Sequence, residues 1–321
     1  LILECSLSFL MPQHNPAGKF AYYYNDKGIV LGPKNFNGRM WDNSGDFNVE
    51  VAINRYGFRD KKDLRDSTQE DVFVVGDSFS FGYGVIEEKR YSNLFEASTG
   101  IRTYNISIPG NFEDYEKLIS YAKDNGATIR KIIIGVCMEN DLLDYHHRKK
   151  VAYTSSAYKR SYIQKVKNYL DYRSTTYNAV AALAHSNKGF EEFLKKIGII
   201  GVSSEQINAS TYQQDVLISS ARKLKELVGS FQATILIIPS RGLWIGGNEK
   251  TEKIVHEKFT SMLVADGLRI VDMKPIFEEG GNPLQYHFPH NGHWNEKGHK
   301  LAAAALCAMI NKHRFSRSDL I

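Results

Sequence analysis

The chain predicts an α/β fold, a mostly parallel five-stranded sheet with helices on both faces. Two observations predict it. From Asp71 onward, short apolar runs alternate with amphipathic stretches of helical period, which is how strand–helix units of a parallel sheet read. Three of those runs also end in residues suited to a site, at Gly76-Asp77-Ser78, at Gly110 and at Asn140, and open α/β sheets gather their chemistry at the carboxyl ends of the strands.

Residues 1–66 read differently, as a small β-rich lead-in packed on the main domain, residues 67–321. Tyr22 to Leu31 reads as a hairpin turning at Asp26-Lys27-Gly28. Phe47 to Asn54 alternates apolar and polar residues, as a half-buried strand does. In the main domain, strands are expected near 71–75, 102–107, 131–137, 233–238 and 268–272. Helices are expected near 87–98, 112–125, 211–229, 250–265 and 296–311, with Leu217, Ala221, Leu224 and Val228 forming one apolar stripe. A long insertion at about 141–208 holds His146-His147-Arg148-Lys149-Lys150 and a basic amphipathic helix over 158–167. Such a helix caps an active site or lies on a membrane surface.

The 321 residues, 42% hydrophobic, suffice for a large core. A net charge of +5 is only mildly basic, short of what would itself argue for nucleic acid, and no nucleic-acid partner is expected. An anionic partner, a polysaccharide or a membrane surface, suits it better. Three cysteines give no disulfide framework, and Cys137 and Cys307 read as buried thiols. There is no P-loop, no dinucleotide fingerprint and no paired Cys-x-x-Cys, so no cofactor is expected. His287, His290, His293 and His299 lack a familiar ligand spacing, so no metal is expected either.

The candidate chemistry lies on four segments. Val72-Phe73-Val74-Val75 delivers Ser78 to the end of a strand, where a serine is a candidate nucleophile if a base and an oxyanion site exist elsewhere. His293 stands in a loop just before the last helix, whose N-cap is expected to be Asn295, so its backbone is well fixed for a base. The N–H groups of Ser78 and Gly110 and the side-chain amide of Asn140 are suited to hold a tetrahedral oxyanion. Asp77 and Asp141 read as structural caps.

In that order and on those elements, the four segments resemble the SGNH, or GDSL, hydrolase family. The resemblance runs from about Asp71 to about Ile310. It implies a flavodoxin-like three-layer α/β/α sandwich. It also implies a Ser78–His293 hydrolase or acyltransferase with an oxyanion hole of Ser78, Gly110 and Asn140. The chain departs from the family where an aspartate is usual, two or three residues before the histidine. Those positions hold Asn291 and His290, neither an anion. The Asn291 carbonyl is able to accept the His293 Nδ1–H and hold the ring, as asparagine does in papain-like proteases. Three explanations stay open here: a working dyad, a degenerate binding protein, and an engineered Asp→Asn change.

The expected activity is hydrolysis of an oxygen ester, with a carbohydrate O-acetyl ester as the substrate the resemblance favours. The alternatives are an exopolysaccharide O-acetyltransferase and a saccharide-binding protein with a decayed site. The apolar start of the chain, Leu1 to Met11, is too short to span a bilayer. Family members with a lead-in like Tyr56-Gly57-Phe58-Arg59-Asp60 often carry an N-terminal membrane anchor. An extracytoplasmic protein near a membrane, with the anchor missing from this sequence, is therefore expected, and a cytoplasmic protein is the alternative.

Overall fold

The computed structural model describes residues 2–142, 169–186, 214–229 and 231–318, with residues 145, 166, 189–190 and 192–193 between them. The lead-in contributes two antiparallel pairs. Strands β1 (Tyr23–Tyr24) and β2 (Val30–Leu31) form the expected hairpin, and β3 (Asn37–Trp41) pairs with β4 (Asn48–Ala52). The main sheet comprises β5 (Val72–Val75), β6 (Thr103–Asn105), β7 (Lys131–Cys137), β8 (Gln232–Ile238) and β9 (Ile270–Asp272). Its order is β6-β5-β7-β8-β9 and every pairing is parallel. Counted along the sheet this is the flavodoxin-like order, with its switch point between β5 and β7, where the chain reverses direction.

The strands sort their side chains to two faces because successive residues point opposite ways. Phe73, Val75, Ile132, Ile134, Ile235 and Ile237 face one core. Helices α4 (Phe112–Asp124), α6 (Gln214–Val228) and α7 (Glu249–Ala265) close it, through Leu118, Leu224 and Phe259 among others. Val72, Val74, Ile133, Leu236 and Ile238 face the other core. It is closed by α3 (Tyr91–Thr99), α8 (Met273–Glu279) and α9 (Glu296–Ser318), through Phe95, Phe277 and Leu306. This is the α/β/α sandwich the resemblance implied. The lead-in is continuous with the first core. Phe20, Leu31, Met40 and Phe58 share it with Phe81, and the rings of Phe20 and Phe81 stack at 5.5 Å.

Several elements differ from expectation. The helix expected from residue 87 begins at Tyr91, because Glu87–Lys89 forms a 3₁₀ turn first. Helix α8 was not anticipated, being short and carrying Pro275 in its first turn, where proline costs nothing. Strand β3 carries too few apolar residues to announce itself. At the amino end, Ile2–Leu10 is a helix, α1. Its Glu4 carboxylate caps α5 (Thr175–Ser186), accepting from the N–H of Thr175 and, at 3.2 Å, from that of Thr176. Cys307 is half-buried rather than buried. The basic helix expected over 158–167 lies, Val166 apart, outside the described residues, as does 146–150. Among the described residues no helix is long and apolar enough to cross a membrane.

Candidate active site

Strand β5 ends in a turn built for close approach. Asp77, extended, caps the short helix α2 (Ser78–Phe81) by accepting the Phe79 N–H at 3.0 Å. Burial pushes the Asp77 carboxyl up to about 7. Gly76 is required, since a Cβ there would lie 2.3 Å from the Ser80 Oγ. That hydroxyl is held by the Tyr91 Oη–H at 2.8 Å, and the Ser80 carbonyl accepts from Asn105 Nδ2 at 2.9 Å. The buried Arg59 guanidinium donates to the carbonyls of Gly82 and Val85, both at 2.7 Å, fixing the far side of the turn. Ser78, the first residue of α2, has no acceptor for its N–H within the helix.

His293 enters from the loop before α9. Its own carbonyl accepts the Phe288 N–H at 2.8 Å, and the next residue, Trp294, is fully buried against Phe79 and Phe277. Asn295 caps α9 as expected, accepting the Lys297 N–H at 2.9 Å. Thus anchored, His293 places Nε2 2.8 Å from Ser78 Oγ, with its ring against those of Phe79 and Tyr83. Burial lowers its pKa to about 4, and the Arg241 cation adds to that while Asp42 opposes it.

The other side of the ring meets Asn291, whose Oδ1 is hydrogen-bonded to His293 Nδ1. The Asn291 Nδ2–H donates in turn to Asp42 Oδ2 at 2.5 Å. Asp42 follows β3 in the lead-in and has no link to the histidine in sequence. A second lead-in carboxylate, Asp46, accepts the N–H groups of His290 and Asn291, each at 2.8 Å. Gly292 between Asn291 and His293 has φ +83°, and a Cβ there would meet the Arg241 guanidinium at 2.1 Å. Arg241 is paired with Glu139 at 3.1 Å, which ties the exit of β8 to that of β7.

Gly110 and Asn140 lie just beyond β6 and β7, the two neighbours of β5. Gly110 precedes the capping box of α4, where a Cβ would run into Asp114 at 2.7 Å. Asn140 is half-buried, and its side chain makes no hydrogen bond among the described residues. Asp141 acts as the strand-exit cap, accepting the Cys137 N–H at 2.8 Å and the Tyr115 hydroxyl at 2.9 Å. The structure therefore brings Ser78, His293 and Asn291 into one hydrogen-bonded chain and sets Gly110 and Asn140 at the adjoining strand ends. Asp42, Asp46 and Arg241 escape a reading of the sequence. In Asp42-Asn43-Ser44-Gly45-Asp46 the acids look like turn residues, and only the topology brings them to the histidine.

No family model matches the chain, and neither does any curated protein. Solved structures do match, at low identity. A lipolytic protein of the G-D-S-L family from Veillonella parvula is 13% identical, with a TM-score of 0.41 over 73% of this chain and 94% of that one. A lipase/acylhydrolase from Enterococcus faecalis is 12% identical, with a TM-score of 0.43 over 76% of this chain and 96% of that one. An acetyl xylan esterase is 10% identical, with a TM-score of 0.41 over 75% of this chain and 99% of that one. At such scores the chemistry has to be argued from this chain's own side chains.

Proposed function

We propose that the protein is a serine-dependent esterase acting on an oxygen ester. The observation that carries this is the 2.8 Å contact of Ser78 Oγ with His293 Nε2, on a ring whose Nδ1 is engaged by Asn291 Oδ1. With the proton on Nδ1, Nε2 presents a lone pair to the serine hydroxyl, the tautomer a general base needs. A pKa near 4 keeps that imidazole neutral at ordinary pH.

In this reading Ser78 Oγ attacks the acyl carbonyl while His293 takes its proton and returns it to the leaving alcohol. A water then attacks the acyl-serine, losing its proton to His293, and Ser78 is regenerated with release of the acid. The N–H groups of Ser78 and Gly110 and the amide of Asn140 are assigned to the oxyanion, one donor from each of three adjacent strand exits around the switch point. The substrate class we infer is a carbohydrate O-acyl ester. It is supported by the sequence resemblance and by the basic, aromatic composition, since fold does not choose among esters.

The test is hydrolysis of a chromogenic acetate ester, with labelling by a fluorophosphonate in parallel. The native chain should hydrolyse the ester and take the label, and Ser78→Ala should do neither, losing at least about 10⁴-fold in kcat. Equal activity in the two proteins would remove Ser78 from the chemistry. A native chain that matches the buffer blank yet takes the label would move the reading to transfer onto a sugar hydroxyl.

A further inference from the structure

We infer that Asp42 is the anion of this site, a positioning residue that acts on His293 through the side chain of Asn291. The inference rests on the esterase reading above and supplies what that reading lacks, a carboxylate behind the histidine.

Asp42 is itself held in place. Its backbone N–H donates to the Phe47 carbonyl at 3.2 Å and its carbonyl accepts from Gly45 at 3.1 Å. Its Oδ1 accepts the Ser44 N–H at 2.6 Å, which leaves Oδ2 directed at Asn291 Nδ2, 2.5 Å away. The Asn291 backbone is pinned separately by Asp46 at 2.8 Å, so the amide is positioned at both ends.

A primary amide has one accepting end and one donating end, and which end faces a neighbour is decided by that neighbour. A carboxylate only accepts. Asp42 therefore requires the NH₂ of Asn291 to face it, and the carbonyl to face His293. The carbonyl in turn requires a proton on Nδ1, which leaves Nε2 bare toward Ser78. Without the carboxylate the amide is free to turn over, and its NH₂ would then favour the tautomer with the proton on Nε2, which cannot take the serine proton. That is the fault blamed for the loss of about 10⁴-fold when asparagine replaces the aspartate of a serine-protease triad. Here a second acidic residue corrects it. The same carboxylate also lies one amide away from the imidazolium that forms during attack and offsets its charge. Among the described residues the ring also has near it Arg241, paired with Glu139, together with His287, His299 and the Tyr83 phenol, whose pKa burial pushes up, and none of these four side chains is an anion toward it.

The experiment compares kcat and KM for the acetate ester, with melting temperatures, in five proteins: the native chain, Ser78→Ala, Asp42→Asn, Asn291→Asp, and Asp42→Asn combined with Asn291→Asp. Asp42→Asn should lower kcat by about 10²-fold or more, within the 10⁴-fold bound of the triad case, with KM little changed. The exchanged pair should recover at least about tenfold of that loss, because it moves the charge onto His293 directly and leaves an amide behind it. Asn291→Asp alone sets two carboxylates against each other, where they share a proton, and should fall short of the exchanged pair if the latter's recovery is electrostatic. A folded Asp42→Asn protein with native kcat overturns the inference while leaving the esterase reading intact, provided Ser78→Ala is inactive. An active Ser78→Ala removes both. Should Asp42→Asn not fold, the ring ¹⁵N shifts of His293 in the unaltered protein decide. Protonated Nδ1 with bare Nε2 supports the inference, and protonated Nε2 overturns it.

Discussion

Ser78 and His293 meet at 2.8 Å, yet the two segments that deliver them are held in different ways. The serine turn is fastened from within the main domain. Gly76, Ser80, Tyr91 and Asn105 lock together at the end of the sheet, and the lead-in adds the Arg59 guanidinium, the Asp60 carboxylate, which accepts the Asn105 N–H at 2.8 Å, and the Phe20 ring stacked on Phe81. The histidine loop is tied to the lead-in through Asp42 and Asp46, while the Arg241 guanidinium lies close against Gly292. The nucleophile is thus fixed chiefly by close packing and internal hydrogen bonds, and the base depends in addition on carboxylates from a distant part of the chain. Packing tolerates no added volume, whereas hydrogen-bonded and charged supports answer to pH and to single charge changes.

Three substitutions sharpen this contrast. The largest effect is expected for Gly76→Ala, whose Cβ would stand 2.3 Å from Ser80 Oγ and 3.0 Å from the Gly135 carbonyl. Overpacking there should cost about 1–3 kcal/mol and displace Ser78, so melting temperature and kcat should fall together. A Gly76→Ala protein with both unchanged would show that the turn is not close-packed. Next comes Asp46→Ala, which frees the backbone of His290 and Asn291. It should lower kcat by up to about 10²-fold through misplacement of the base, with a much smaller change in melting temperature than Gly76→Ala. Equal losses of stability in the two variants would erase the distinction drawn here.

The smallest effect is a displacement along the pH axis. His293 must be neutral to act as base, so kcat/KM should fall away as pH drops through its pKa of about 4. Arg241 helps hold that value down, so Arg241→Gln makes protonation easier and raises it. The acid limb of the kcat/KM profile should therefore move to higher pH. A limb that stays in place would mean that the cation is fully offset by Glu139.

Much of the main domain was legible because its signals are local. A buried strand announces itself by an apolar run, and β5, β7 and β8 fall within a residue or so of expectation. Ser78, His293 and the Asn295 cap were legible for the same reason, each being marked by its immediate neighbours. Helix α8 was missed because seven residues hold too few turns to show a period. Asp42 was missed for a deeper reason. Its partner is 249 residues away, and an aspartate in a turn looks the same whether or not a histidine loop is waiting for it. The departure at Asn291 was visible. Its remedy was not, since a charge supplied from another part of the fold leaves no spacing to read.

Taken in order, Ser78, His293, Asn291 and Asp42 close contacts between points 215, 2 and 249 residues apart. A chain closed over such spans holds only while the β3–β4 loop, the serine turn and the segment before α9 are docked at once, because loosening any of them opens a long loop with its conformational freedom restored. Turnover would then double as a gauge of integrity, fading as soon as either end of the polypeptide lets go and well before the central sheet melts.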